Sequence, residues 1–139
     1  MKKILALLFL TLFAFGCESG SINNNNPNIP NYPINLQINL SLPEYSSLTF
    51  ASGHYVSPFY GARGIVIFNT GSGFVAFDLA CPNQTFDSCS SPMQVTGVEA
   101  KCVCDDKAYL LFTGQSAGQQ YPMKQYNVQV SGNSLVVYN

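Results

Sequence analysis

The chain of 139 residues has no tryptophan, a single histidine and only 9% charged residues. Each shortage closes off a class of function. One histidine, His54, makes no catalytic triad that can be placed in this sequence. It sits in "ASGHYVSP" between turn residues and reads as a partly exposed loop histidine. Six Lys and Arg cannot line a groove that tracks phosphates, so nucleic acid is excluded as a partner. No helical period runs longer than a turn, and no internal repeat is present. The one long apolar run, Ile4 to Phe15, falls short of the ~20 residues that span a bilayer.

That run lies at the N-terminus, "MKKILALLFLTLFAFGCESG". Lys2 and Lys3 make a basic start, the apolar stretch follows, and small residues Ala14 and Gly16 lead to Cys17. The order is that of a secretory signal peptide. Its end resembles the lipobox of bacterial lipoproteins, which implies cleavage before Cys17 and a lipid on that cysteine. Residues 1–16 are then the signal peptide, and the protein is expected on the extracytoplasmic side of the bacterial envelope, held to the membrane by its lipid. Removing the signal leaves Arg63, Lys101, Lys107 and Lys124 against seven acids, a net charge of -3. Residues 17–33, rich in Asn and carrying Pro27, Pro30 and Pro33, bury no apolar face and read as a flexible-to-extended tether.

Residues 34–139 suffice for one domain. "INLQINLSL" alternates apolar and polar from Ile34 to Leu42, the pattern of a half-buried strand. "GIVIFNTGSGFVAFD" gives two strands about a turn, and "YNVQVSGNSLVVYN" gives a second hairpin turning at Ser131–Asn133. "MQVTGVEAKCV" reads as a short hairpin feeding Cys102, and "AYLLFTG" as a strand closed by Thr113 and Gly114. The fold class is all-β, a small sandwich or barrel of short antiparallel strands.

Four cysteines remain beyond Cys17: Cys81, Cys89, Cys102 and Cys104. They fall in two loops, each reached from a strand. Outside the cytoplasm, four thiols read as two disulfides, with three pairings open. A zinc site of four thiolates is the weaker reading, because C-x-C signals metal less strongly than paired C-x-x-C.

The frame around these loops resembles the Rieske iron–sulfur domain. "FVAFDLACP" (Phe74 to Pro82) is similar to the family's lead into its first loop. "TGQSAGQQYPMKQYNVQVSGNSLVV" keeps Thr113, Gly114, Gly118, Pro122, Tyr126, Val128, Gly132, Leu135 and Val137 in the family's places. In that family each loop gives one Cys and one His to a [2Fe–2S] cluster, two thiolates on one iron and two imidazoles on the other. Carried over, Cys81 and Cys102 match the thiolate ligands, while Asn83 and Asp105 stand where the histidines would be. Asp106 and Lys107 replace a Gly-Ser that donates hydrogen bonds around the cluster.

The resemblance therefore implies a Rieske-like domain without adequate ligands for the second iron. It also implies a pairing. Cys81 and Cys102 would face one another across the other iron, so without it they can bond. Cys104 matches a position that bridges to the first loop in respiratory-chain Rieske proteins, with Cys89 as its partner. The expectation is a disulfide-stabilised binding or structural module with no cofactor and no enzymatic activity, acting on an envelope protein or ligand. The alternative is an electron-transfer protein with an atypical [2Fe–2S] centre, four-cysteine ligation being one form of it.

Asp105–Asp106 reads as a solvated acidic turn, since adjacent side chains point apart. Asn39 and Asn83 begin N-glycosylation sequons, which carry little meaning in a bacterial lipoprotein. Phe50, Tyr55, Phe59, Tyr60, Phe74, Phe77 and Phe86 read mostly as core or loop caps, with Tyr55 to Tyr60 a candidate surface group.

Overall fold

The computed structural model of the protein describes Ile22 and residues 24–139. The signal segment, Cys17 and the first part of the tether lie outside the described residues. Among those described, no helix is long and apolar enough to cross a membrane.

Among the described residues, nine short strands form two antiparallel sheets: β1 (Asn35–Asn39), β2 (His54–Ser57), β3 (Ile65–Asn69), β4 (Phe74–Asp78), β5 (Gln94–Thr96), β6 (Glu99–Lys101), β7 (Ala108–Leu110), β8 (Gln125–Ser131) and β9 (Ser134–Tyr138). The larger sheet runs β1-β9-β8-β4-β3-β2, and the smaller runs β5-β6-β7. Strand β8 joins the two halves of the larger sheet. Its first residues pair with β4, through Ala76↔Tyr126 and Phe77↔Gln125, and the rest pairs with β9 from Asn127 onward. A strand that changes neighbour partway along makes the sheet curl.

The wall between the two sheets is β3. "IVIF" is buried on both faces, with Ile65, Val66, Ile67 and Phe68 all fully inaccessible. Ile65 and Ile67 point with Leu36, Ile38, Leu135 and Val137 into the core of the larger sheet. Val66 and Phe68 point the other way, with Phe77, Leu79, Tyr109 and Leu111, into a second core that also holds Cys81, Cys89 and Cys102. A strand apolar at consecutive positions is what burial on both faces requires. Each such side chain contributes about 1.5–3 kcal/mol by leaving water. The cysteine loops are thus packed onto the main sheet through a shared core.

Three expectations change in detail. The alternating run from Ile34 to Leu42 leaves the sheet at Asn39, and Leu42 is largely exposed. The cause is local: the Asn39 side-chain oxygen accepts the Ser41 N–H, and its carbonyl accepts the Leu42 N–H, a turn that competes with the ladder. A 3-10 helix, Pro43–Thr49, follows and buries Leu48. The strand expected over "AYLLFTG" spans only Ala108–Leu110, because the N–H groups of Thr113 and Gly114 both turn back onto the Leu110 carbonyl. His54, expected in a loop, is the first residue of β2, in register with Phe68.

The described part of the expected tether, residues 24–33, lies along the domain. Ile29 is 5% exposed. The Asn24 carboxamide bonds both the N–H and the carbonyl of Gln125. The buried Lys124 ammonium donates to the Pro30 carbonyl and to Asn31 Oδ1 at 3.0 and 2.8 Å. Buried Ile29 and hydrogen bonds from Asn24, Asn26 and Asn28 hold this stretch, and one apolar residue among asparagines leaves no periodic face, which is why its composition reads as unattached.

Candidate functional site

Loop 1 runs from the end of β4 to β5. It is pinned at its base where the Met93 N–H donates to the Leu79 carbonyl. Beneath it lies a buried carboxylate. Asp78 accepts from the backbone N–H groups of Ala62 at 2.6 Å, Ala80 at 2.8 Å and Arg63 at 3.3 Å, and from the Tyr126 hydroxyl at 2.8 Å. A buried charge is tolerated only when so many donors surround it. Burial first, then the neighbouring Asp78 charge, pushes the Tyr126 hydroxyl well above its ordinary pKa. Burial lowers Lys124, and the Asp78 charge partly restores it. This network fixes the chain at Ala80, one residue before Cys81.

Loop 2, residues 102–107, is a tight turn between β6 and β7. The Cys102 N–H donates to the Lys107 carbonyl, and the Asp106 N–H returns to the Cys102 carbonyl. Asp106 has φ +58°. It stands where the resemblance places glycine, and it keeps the left-handed backbone that favours glycine and tolerates Asp. Its carboxylate pairs with Lys101 at 2.9 Å on the open surface, a contact of little energetic weight.

The two loops meet at four sulfurs, whose Sγ atoms all lie within 4.8 Å of one another. Two disulfides join them. Cys81 is bonded to Cys102, with Cα atoms 5.5 Å apart, and Cys89 to Cys104, with Cα atoms 6.0 Å apart. Of the three pairings that four thiols allow, this is the one the resemblance implies. Both Cα separations are ordinary for bridged cysteines.

Asn83 and Asp105, the two positions that the resemblance gives to histidine, are engaged in hydrogen bonds. Asn83 Nδ2 donates to the Tyr109 hydroxyl at 2.9 Å and to the Tyr121 carbonyl at 2.8 Å, and its Oδ1 accepts the Tyr121 N–H at 2.9 Å. Asn83 therefore laces loop 1 to the segment before β8. Asp105 accepts from Gln84 Nε2 at 3.0 Å and from the Lys107 N–H at 3.0 Å, so it braces loop 1 against loop 2. Burial raises the Tyr109 pKa; the Asn83 bond lowers it and the Asp105 charge raises it.

These residues do not fit a cluster held by two thiolates and two imidazoles. The chain has one histidine in all, and it lies on β2 rather than in either loop. The two matching thiolates are bonded to one another.

Several contributors to this site were not visible as such in the sequence. Asn26 and Asn28 each donate to the Pro82 carbonyl at 2.9 Å, capping loop 1 from the N-terminal segment. Arg63 lies over the Phe86 ring at 3.9 Å and donates to the Phe86 carbonyl, so Phe86 caps the loop as expected of an aromatic there. In the Tyr55 to Tyr60 group only Phe59, 89% exposed, is strongly solvent-facing. Asp106 is solvated, whereas its neighbour Asp105 serves the loop contact. Cys17 lies outside the described residues.

No family model matches the chain, and no curated protein matches it. Solved structures similar to it include the complex of reduced oxygenase and oxidised ferredoxin in carbazole 1,9a-dioxygenase, at 19% identity over 63% of this chain and 82% of that one, TM-score 0.45. The ferredoxin of carbazole 1,9a-dioxygenase from Nocardioides aromaticivorans IC177 is 15% identical over 63% of this chain and 86% of that one, TM-score 0.41. Sphingomonas yanoikuyae B1 ferredoxin is 16% identical over 55% and 74%, TM-score 0.39. At these identities and scores the likeness assigns neither a cofactor nor a partner to this chain.

Proposed function

We propose that this protein is a lipid-anchored, Rieske-like module of the bacterial envelope that works without an iron–sulfur cluster. Its two loops form a rigid binding or structural surface. One observation carries the reading: Cys81 and Cys102, the matching thiolates, are bonded to one another, while Asn83 and Asp105 spend their polar atoms on bracing the loops. A surface that serves recognition gains from loops fixed before binding, because ordering them then costs no entropy. Two disulfides and the Asn83 and Asp105 contacts provide that fixity. The lipid on Cys17 and the cell-envelope location rest on the signal-like N-terminus, and the asparagine-rich segment leads from it into the domain.

Anaerobic purification from the native host, followed by an absorbance scan and electron paramagnetic resonance of the reduced protein, tests the reading. A colourless, silent protein is expected. A rhombic signal with stoichiometric iron and sulfide overturns it in favour of electron transfer. Mass spectrometry of the mature N-terminus tests the anchor. The expected species begins with a diacylglyceryl Cys17, and an unmodified start elsewhere refutes it.

A further inference from the structure

We propose that the two disulfides form a single thiol–disulfide exchange unit, entered at Cys104 and read out by an external dithiol. The inference rests on the disulfide-bearing module described above. Two observations carry it. The bridges touch: Cys81 Sγ and Cys89 Sγ, which belong to different disulfides, are 3.5 Å apart. Neither sulfur carries a hydrogen, so this is direct sulfur–sulfur contact. Accessibility is also graded. Cys102 is 0% exposed and Cys81 and Cys89 are each 4% exposed, while Cys104 alone is exposed. A reductant from solvent therefore reaches one of the four.

Exchange proceeds by attack of a thiolate on a disulfide sulfur. One thiolate of the external dithiol attacks Cys104 Sγ. A mixed disulfide forms there, the Cys89–Cys104 bond breaks, and its electron pair leaves on Cys89. The Cys89 thiolate already touches Cys81. It attacks Cys81 Sγ, the Cys81–Cys89 bond forms, the Cys81–Cys102 bond breaks, and the pair leaves on Cys102. The second thiolate of the dithiol then attacks the dithiol's first sulfur in the mixed disulfide, the bond to Cys104 breaks, and its electron pair leaves on Cys104. The dithiol has become a disulfide, losing two electrons and two protons. The protein has gained both as thiols on Cys102 and Cys104.

The consequence is mechanical. Both original bridges cross from loop 1 to loop 2, whereas Cys81–Cys89 lies wholly within loop 1. A single two-electron reduction therefore removes both covalent ties on loop 2 at once. The hydrogen bond from Gln84 to Asp105 and the packing of Cys102 in the shared core remain. A partner dithiol, such as that of an envelope oxidoreductase, would free loop 2 of its covalent ties to loop 1 in one turnover.

The test is treatment of the oxidised protein with limiting dithiothreitol, trapping by alkylation over a time course, and non-reduced peptide mapping. Expected is a two-electron-reduced species with a Cys81–Cys89 linkage and alkylated Cys102 and Cys104. A species that keeps Cys81–Cys102 and carries alkylated Cys89 and Cys104 at every time overturns the proposal. Cys104→Ser provides a second arm without added reductant, since it leaves Cys89 as a lone thiol beside the inner bridge. Expected there is Cys81–Cys89 with alkylated Cys102; only Cys81–Cys102 with alkylated Cys89 refutes the exchange. Mapping of the untreated protein separates the two readings. Absence of both bridges at the start refutes the module itself, while their presence without subsequent exchange refutes only the relay.

Discussion

Asn83→Ala is the substitution that weighs the bracing role of Asn83. It removes two donated hydrogen bonds and one accepted bond. The partners do not suffer equally. Tyr121 is half-buried, so its N–H and carbonyl can turn to water. Tyr109 is 0% exposed, so its hydroxyl is left without a partner. An orphaned buried polar group costs about 1–3 kcal/mol, and a bond exchanged for water about 0.5–1.5 kcal/mol. With one orphaned hydroxyl and two bonds exchanged for water, the loss should be about 2–6 kcal/mol, with Tyr109 about half of it. Urea unfolding followed by far-ultraviolet circular dichroism, with both disulfides intact, measures it; the chain has no tryptophan to report by fluorescence. Repeating the substitution in a Tyr109→Phe background should reduce its cost by about 1–3 kcal/mol, because the hydroxyl is no longer there to orphan. An unchanged midpoint for Asn83→Ala, or an equal cost in both backgrounds, would refute the assignment of Asn83 as a brace.

Other expectations concern covalent ties and pH. Replacing Cys81 and Cys102 by Ala opens a closure of 21 residues, and replacing Cys89 and Cys104 opens one of 15. Chain entropy gives about 3 kcal/mol for each. Because the two closures overlap, removing both should cost less than the sum in the same urea assay; no effect of either pair would contradict their stapling role. Tyr126 is held neutral in the fold by burial and by Asp78. With the folded pKa raised above the unfolded value of about 10, the stabilisation is full below pH about 10 and is lost as the pH climbs through the folded pKa. Stability should fall in alkali, and Tyr126→Phe should flatten that fall relative to the wild type. Parallel curves for the two proteins would show that Tyr126 does not carry the linkage.

The hairpins β3–β4 and β8–β9 were legible because runs of β-branched and aromatic residues about turn residues are local signals. The short β5–β6 pair was legible for the same reason. The end of β1 was not, because the apolar alternation continues to Leu42 while the Asn39 side chain has already turned the chain. The packing of residues 24–33 was hidden for a related reason: Asn24, Asn26 and Asn28 attach through carboxamides to distant backbone groups, and such contacts leave no periodicity. At the site, the sequence exposed which side chains are missing. It could not expose what Asn83 and Asp105 do instead, because their partners Tyr109, Tyr121 and Gln84 are set by how three loops converge. The meeting of the two bridges at Cys81 and Cys89 likewise belongs to the folded geometry.

The central claim is that Cys81 and Cys102, the two cysteines that the resemblance matches to cluster ligands, are joined to each other. Its most direct test is peptide mapping of protein taken from the native host, with thiols blocked at lysis and no reductant added. The account predicts Cys81 linked to Cys102 and Cys89 linked to Cys104. Four blocked thiols, with no linkage at either pair, would contradict it.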